Sequence, residues 1–149
     1  MRLAKPPDAN GIASAVGELL VELGGSPPPL EAMQDAAREL LEIPESGVVV
    51  LAEAGGLIVG LLAASWPTSI HTAGRYGLIQ DLWVQRSWRG MAIGGALLDG
   101  FMARGHELGI MRIEVGLPKD SFEGLKDTEA FYRKQGFELL GSRMRRVLR

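Results

Sequence analysis

The run Gly77-Leu78-Ile79-Gln80-Asp81-Leu82-Trp83-Val84-Gln85, followed three residues later by Arg89-Gly90-Met91-Ala92-Ile93-Gly94-Gly95, decides the fold. Residues 77–85 are apolar enough, and bounded sharply enough, to read as a strand. After Gly90 the pattern changes to helical spacing, with Ile93, Leu97, Phe101, Met102 and Leu108 lining one face. Another strand pattern follows at residues 111–117, so the centre of the chain is a strand–helix–strand crossover. The turn entering the helix is rich in glycine at Gly90, Gly94 and Gly95, and Arg89 stands directly before it. Unpaired amides at a helix start, a favourable helix dipole and small residues together make a place for a pyrophosphate. Two familiar nucleotide loops fail on spacing. The segment lacks the Gly-Lys-Ser/Thr ending of an ATP-type loop, and its glycines do not stand at the first, third and sixth positions of the dinucleotide fingerprint.

Outward from this crossover the elements alternate in type. Upstream, the apolar runs 48–52 and 57–62 flank Glu53-Ala54-Gly55-Gly56, a hairpin signal. Before them lie two helices. In the first, Asp8 is placed to cap and Ile12, Val16, Leu19, Leu20 and Leu23 keep helical spacing to Gly24-Gly25. The second starts at Leu30, after Ser26-Pro27-Pro28-Pro29, and runs to Pro44. A short alternation at residues 2–5 opens the chain. Downstream, a helix is expected at residues 128–135, stopped by Gly136, and then strands at 137–140 and 143–148. The order implies a single mixed α/β domain spanning residues 1–149.

Composition bounds the function. The chain has 149 residues, 16 Lys+Arg against 18 Asp+Glu, a net charge of −2 and no cysteine. The last point excludes a disulfide scaffold, a thiolate metal site and a cysteine nucleophile. Mixed charge gives no broad field for nucleic acid or an acidic membrane. No signal-peptide or membrane-spanning run is present, so a cytoplasmic protein is expected. His71 and His106 lack a second ligand at metal spacing, and no metal is expected. Twenty glycines are an excess over the usual share of about 7%. Six of them lie between Gly90 and Gly109.

The segment Asp81-Leu82-Trp83-Val84, then Arg89-Gly90-Met91-Ala92-Ile93-Gly94, then Leu97-Leu98 resembles the strand, Arg/Gln-x-x-Gly-x-Gly/Ala loop and helix of the GNAT superfamily of acyl-CoA-dependent N-acyltransferases. Ala130-Phe131-Tyr132-Arg133-Lys134-Gln135-Gly136-Phe137 is similar to that family's late tyrosine helix. The chain departs from the pattern in two places. Ala92 stands where the loop usually has its first glycine, and Leu125 where many members have an asparagine seven residues before the tyrosine. The resemblance implies a central, mostly antiparallel mixed sheet of about seven strands with helices on both faces. It also implies acetyl-CoA as co-substrate, with pantetheine amides on the backbone of Leu82, Trp83 and Val84. The pyrophosphate would then rest on amides of Arg89, Gly90, Met91, Ala92, Ile93, Gly94 and Gly95.

Direct acyl transfer needs a neutral amine, an oxyanion donor and a proton for the thiolate. Tyr132 is the candidate proton donor, since a phenol keeps its proton at neutral pH. A backbone N–H within residues 82–84 is the candidate oxyanion donor. Asp81 ranks first as base, acting through water, ahead of Glu114 and His71. The resemblance implies that the acceptor, a small-molecule or peptide amine, would meet residues 9–46 and 67–76. Trp66, Trp83 and Trp88 are candidates to line its pocket. An exposed last strand admits a homodimer. The rival reading is a non-catalytic acyl-CoA-binding or regulatory module.

Overall fold

A computed structural model describes residues 1–148 of the chain. They fall into two compact units, Met1–Val115 and the segment from Gly116 onward.

The first unit begins with a short strand β1 (Arg2–Leu3), a 3-10 turn at Pro6–Asp8 and the helices α1 (Ala9–Glu22) and α2 (Leu30–Glu42). Strands β2 (Gly47–Ala54) and β3 (Leu57–Ser65) form the expected hairpin. Gly55 and Gly56 supply its two-residue turn with φ of +58° and +79°, which only glycine adopts without steric cost. A small ribbon of β4 (Thr68–Ser69) and β5 (Gly74–Arg75) leads into β6 (Gly77–Val84), α3 (Ile93–Glu107) and β7 (Ile113–Val115). The main sheet has the order β1-β2-β3-β6-β7, antiparallel except for the parallel β6–β7 pair that the crossover dictates.

Strands β2 and β3 read as continuous apolar runs because helices cover both faces. Val49, Leu51, Leu61, Ala63 and Trp83 pack with Ile12 and Ala15 of α1 and Ala37 of α2. The alternate residues face α3. Gly60 has no side chain there, and a Cβ at that position would stand 3.1 Å from Ile93 and 3.2 Å from Leu97. Deeper along the helix, fully buried Phe101 stacks on Trp66 with ring centroids 4.9 Å apart.

Asp8 differs from its expected role. Its carboxylate accepts the Lys5 N–H at 2.7 Å and the Arg2 guanidinium at 2.8 Å, so it closes the preceding 3-10 turn and makes no side-chain cap on α1. The Pro6-Pro7 pair starts a helical turn one step earlier than the capping pattern suggests.

In the second unit α4 runs over Leu125–Lys134. Among the described residues the strands expected at 137–140 and 143–148 do not form, so the main sheet has five strands where about seven were expected, and the ribbon has two. The physical reason lies in pairing and phase. Leu139-Leu140 and Arg145-Arg146 each break the two-residue period, leaving no single apolar face to bury. Leu140 (81%) and Met144 (100%) are exposed accordingly. Among the described residues no helix is long and apolar enough to cross a membrane.

Candidate active site

β6 pairs with β3 along nearly its whole length but with β7 only at Gly77–Ile79. The change comes at Gln80. The β3 register passes from Ala64↔Ile79 to Ala63↔Asp81, leaving Gln80 as the extra residue of a β-bulge. A bulge bends its strand and sharpens the local twist. It also inverts the side-chain phase, so Ile79 shares the α3 face with Ala64 while Asp81 and Trp83 share the α1/α2 face with Ala63 and Leu61. Beyond the bulge, the edge of Asp81–Val84 that faces away from β3 has no partner strand among the described residues. Peptide groups on that edge are available to an extended ligand with amides of its own.

The same strand leads the chain to the N-terminus of α3. After a 3-10 turn at Arg86–Trp88, Gly90 (φ +79°) and Ala92 (φ +59°, ψ 16°) take left-handed conformations on either side of Met91. The first backbone bond of α3 runs from the Ala96 N–H to the Ala92 carbonyl at 3.1 Å. The amides of Ile93, Gly94 and Gly95 therefore lack intrahelical acceptors, and no side chain caps them. Residues Arg89 to Ala92 are exposed. The start of this 15-residue helix thus presents uncapped amides and the positive end of its dipole, a geometry that suits an anion. Ala92 keeps its amide but holds a conformation that costs an L-residue about 1–2 kcal/mol.

Arg89 does not point its charge outward as a free cation. Its guanidinium grips the Glu22 carboxylate in a two-pronged pair at 2.5 and 2.7 Å, and its Nε–H donates to the Val84 carbonyl at 2.9 Å. This pairing raises the Arg89 pKa and lowers that of Glu22. Arg86 stands 3.9 Å from the same carboxylate. Glu22 carries no signal in the sequence, because its partner lies 67 residues away. Beside this pair a concavity of about 610 Å³ opens between α1 and the end of β6, lined by Glu18, Val21, Trp83, Arg86 and Arg89 among others. Of the three tryptophans considered for a pocket, Trp83, though packed in the core, borders it, and Trp66 and Trp88 do not.

Asp81 is half-buried and has no hydrogen-bond or ion-pair partner among the described residues. Burial pushes its carboxyl above the ordinary aspartate value. The weaker candidates lie elsewhere. Glu114 is opposite Leu78 in the paired part of β7, and His71 is on the exposed ribbon, its Nδ1 bonded to the Ser69 hydroxyl.

Tyr132, in the second unit, is buried on α4. It meets Phe131 and Phe137 edge to face at 5.1 and 5.3 Å. The Phe137 N–H bonds the Tyr132 carbonyl and the Gly136 N–H bonds the Arg133 carbonyl, both at 3.0 Å. With Gly136 at φ +89° this is a Schellman cap, including its apolar contact. The Gly136-Phe137 pair thus fixes the tyrosine that precedes it. Burial pushes the phenol up to about 12.

A family model described as the acetyltransferase (GNAT) family matches residues 16–137. The chain belongs to this family. Among solved structures, this GNAT chain is similar to a predicted acetyltransferase of Clostridium acetobutylicum with acetyl-CoA (20% identity, TM-score 0.81, covering 98% of this chain and 94% of that one). It is similar to AAC(6')-Iy in complex with the bisubstrate analogue CoA-S-monomethyl-acetylneamine (14%, TM-score 0.82, 99% and 96%). It is also similar to a ribosomal-protein-alanine N-acetyltransferase of Brucella melitensis biovar Abortus 2308 (20%, TM-score 0.68, 99% and 95%). At these identities the likeness shows the fold, which is the GNAT fold expected from the motifs. Among curated proteins no relative matches the chain.

Proposed function

We propose that this GNAT protein transfers an acetyl group from acetyl-CoA to an amine by direct attack. The observation that carries the reading is succession: the open edge of β6 beyond Gln80 leads, through one 3-10 turn and the Arg89–Ala92 loop, to the uncapped N-terminus of α3. An edge for amides followed by a nest for phosphate fits a pantetheine joined to a pyrophosphate. The likeness to a structure with acetyl-CoA and to one with a CoA bisubstrate analogue supports the same ligand.

In this reading Leu82, Trp83 and Val84 hold the pantetheine through their backbone, and one of their N–H groups receives the developing oxyanion. The amides from Gly90 to Gly95 take the pyrophosphate. A primary amine with a pKa near 10 is neutral in only about one molecule in a thousand at pH 7, so attack requires a base. Asp81 supplies it, taking the ammonium proton through water. The amine nitrogen bonds to the carbonyl carbon, the C–S bond breaks, and Tyr132 gives its proton to the departing sulfur. A phenol with a pKa near 12 is fully protonated at neutral pH and ready for that role. Two of the similar solved structures are by name an aminoglycoside N-acetyltransferase, AAC(6')-Iy, and a ribosomal-protein-alanine N-acetyltransferase, which supports a small-molecule or protein amine as the acceptor class.

The test is release of CoA, followed with a thiol reagent over a panel of amines, for the wild type and Tyr132→Phe. An amine that accelerates release, with the variant slowed at least tenfold and CoA affinity retained, agrees with the reading. Tight CoA binding with no amine effect, and a variant indistinguishable from wild type, makes the protein a binding module.

A further inference from the structure

We infer that Glu22 is a positioning residue for the cofactor loop, holding Arg89 so that the loop backbone, and not the Arg89 side chain, receives the pyrophosphate. The inference rests on the reading of residues 89–95 as the CoA phosphate site. Glu22 is the last residue of α1, where the negative end of the helix dipole disfavours a carboxylate. Its place is fixed from behind, because the Leu23 N–H bonds the Leu19 carbonyl and the Gly25 N–H bonds the Leu20 carbonyl, each at 2.9 Å. The other end of the helix is buried in the core through Ile12 and Ala15.

From that anchor the carboxylate takes both prongs of the Arg89 guanidinium, while Nε–H reaches the Val84 carbonyl at 2.9 Å. Three parts of the molecule therefore meet at one side chain: the end of α1, the end of the open β6 edge and the loop entering α3. The bond to Val84 sets the spacing between the pantetheine edge and the phosphate nest. Two-pronged pairs of this kind fix geometry as well as charge. Because Glu22 neutralises Arg89, the pair brings little net charge to the phosphate, and its contribution is shape.

Charge and shape predict opposite signs for one substitution. Glu22→Gln frees a cation beside the anion site, so a purely electrostatic role makes CoA bind more tightly. Loss of the clamp makes it bind more weakly. Calorimetric titration of CoA into the wild type, Glu22→Gln, Arg89→Gln and the double variant decides between them. The expected result is a Kd raised about fivefold in each single variant and no further in the double. KM for acetyl-CoA rises by the same factor, so the loss falls on KM rather than kcat. Glu22→Asp, which keeps the charge but not the reach, shows a smaller rise, and far-ultraviolet circular dichroism checks that each variant is folded. Unchanged or tighter binding by Glu22→Gln, or additive losses in the double variant, overturns the inference. A folded wild type that does not bind CoA overturns the reading of the site itself, a result the variants cannot mimic.

Discussion

Ala92 is the sharpest place to perturb the cofactor loop, because the chain has alanine where the backbone asks for glycine. Its φ of +59° and ψ of 16° lie in the left-handed region, which costs an L-residue about 1–2 kcal/mol. Glycine removes that cost and adds about 0.5–1 kcal/mol of unfolded-state entropy. The residue is exposed and caps α3, so its methyl group makes little packing to lose, and glycine is tolerated well at such a cap. Ala92→Gly is therefore expected to stabilise the fold by about 0.5–1 kcal/mol, raising Tm by about 1–4 °C. Ala96→Gly, four residues on and inside the helix, is the control. It should destabilise by about 1 kcal/mol. Differential scanning calorimetry on the three proteins reads the opposed signs, and CoA titration should show that Ala92→Gly does not weaken binding. If Ala92→Gly lowers Tm as Ala96→Gly does, the argument from backbone strain is refuted.

Other outcomes follow from the same geometry. Ala73 also sits at positive φ (+55°), in the ribbon, so Ala73→Gly should raise Tm by a similar amount and leave CoA affinity unchanged in titration. Asp81 is held above its unfolded pKa by burial, so the native state binds its proton more tightly than the unfolded state does. Its ionisation therefore lowers stability as pH rises above the unfolded value of about 4. Thermal melts should show Asp81→Asn more stable than wild type at pH 7, with the difference vanishing at pH 3, while acetyl transfer is lost. Gly136→Ala forces alanine into φ +89° and loosens the cap around Tyr132, costing about 1–2 kcal/mol and slowing acetyl transfer. With Tyr132 pushed up to about 12, its ionisation should put no alkaline limb on the rate below about pH 11, which a pH–rate profile can check.

The crossover was readable in the sequence because its signals are local. The apolar run of β6, the glycines of the turn and the spacing of Leu97 and Phe101 each lie within one element, and local pattern decides them. The hairpin was equally open, since Gly55-Gly56 between two apolar runs specifies a turn type. The candidate site residues from Asp81 to Gly95 come from the same stretch, through its resemblance to the family. What could not be read depends on partners far along the chain. The bulge at Gln80 is visible only as a register shift against Ala63 and Ala64. The Glu22–Arg89 clamp joins positions 67 residues apart with no shared pattern, so nothing local in the sequence signals it. The terminal segments are β-prone in sequence yet form no strand, because such residues make a strand only when an edge pairs with them. Leu140, Met144 and Leu148 stay exposed instead.

The central claim is that the open edge of β6 and the start of α3 form one continuous CoA site. Titrating CoA into 15N-labelled protein and following the backbone amides tests it most directly. The account predicts that the largest shifts fall on Leu82 to Val84 and on Gly90 to Gly95, moving together at a single affinity. Binding that leaves the Gly94 and Gly95 amides in place, or shifts concentrated away from β6 and α3, would contradict it.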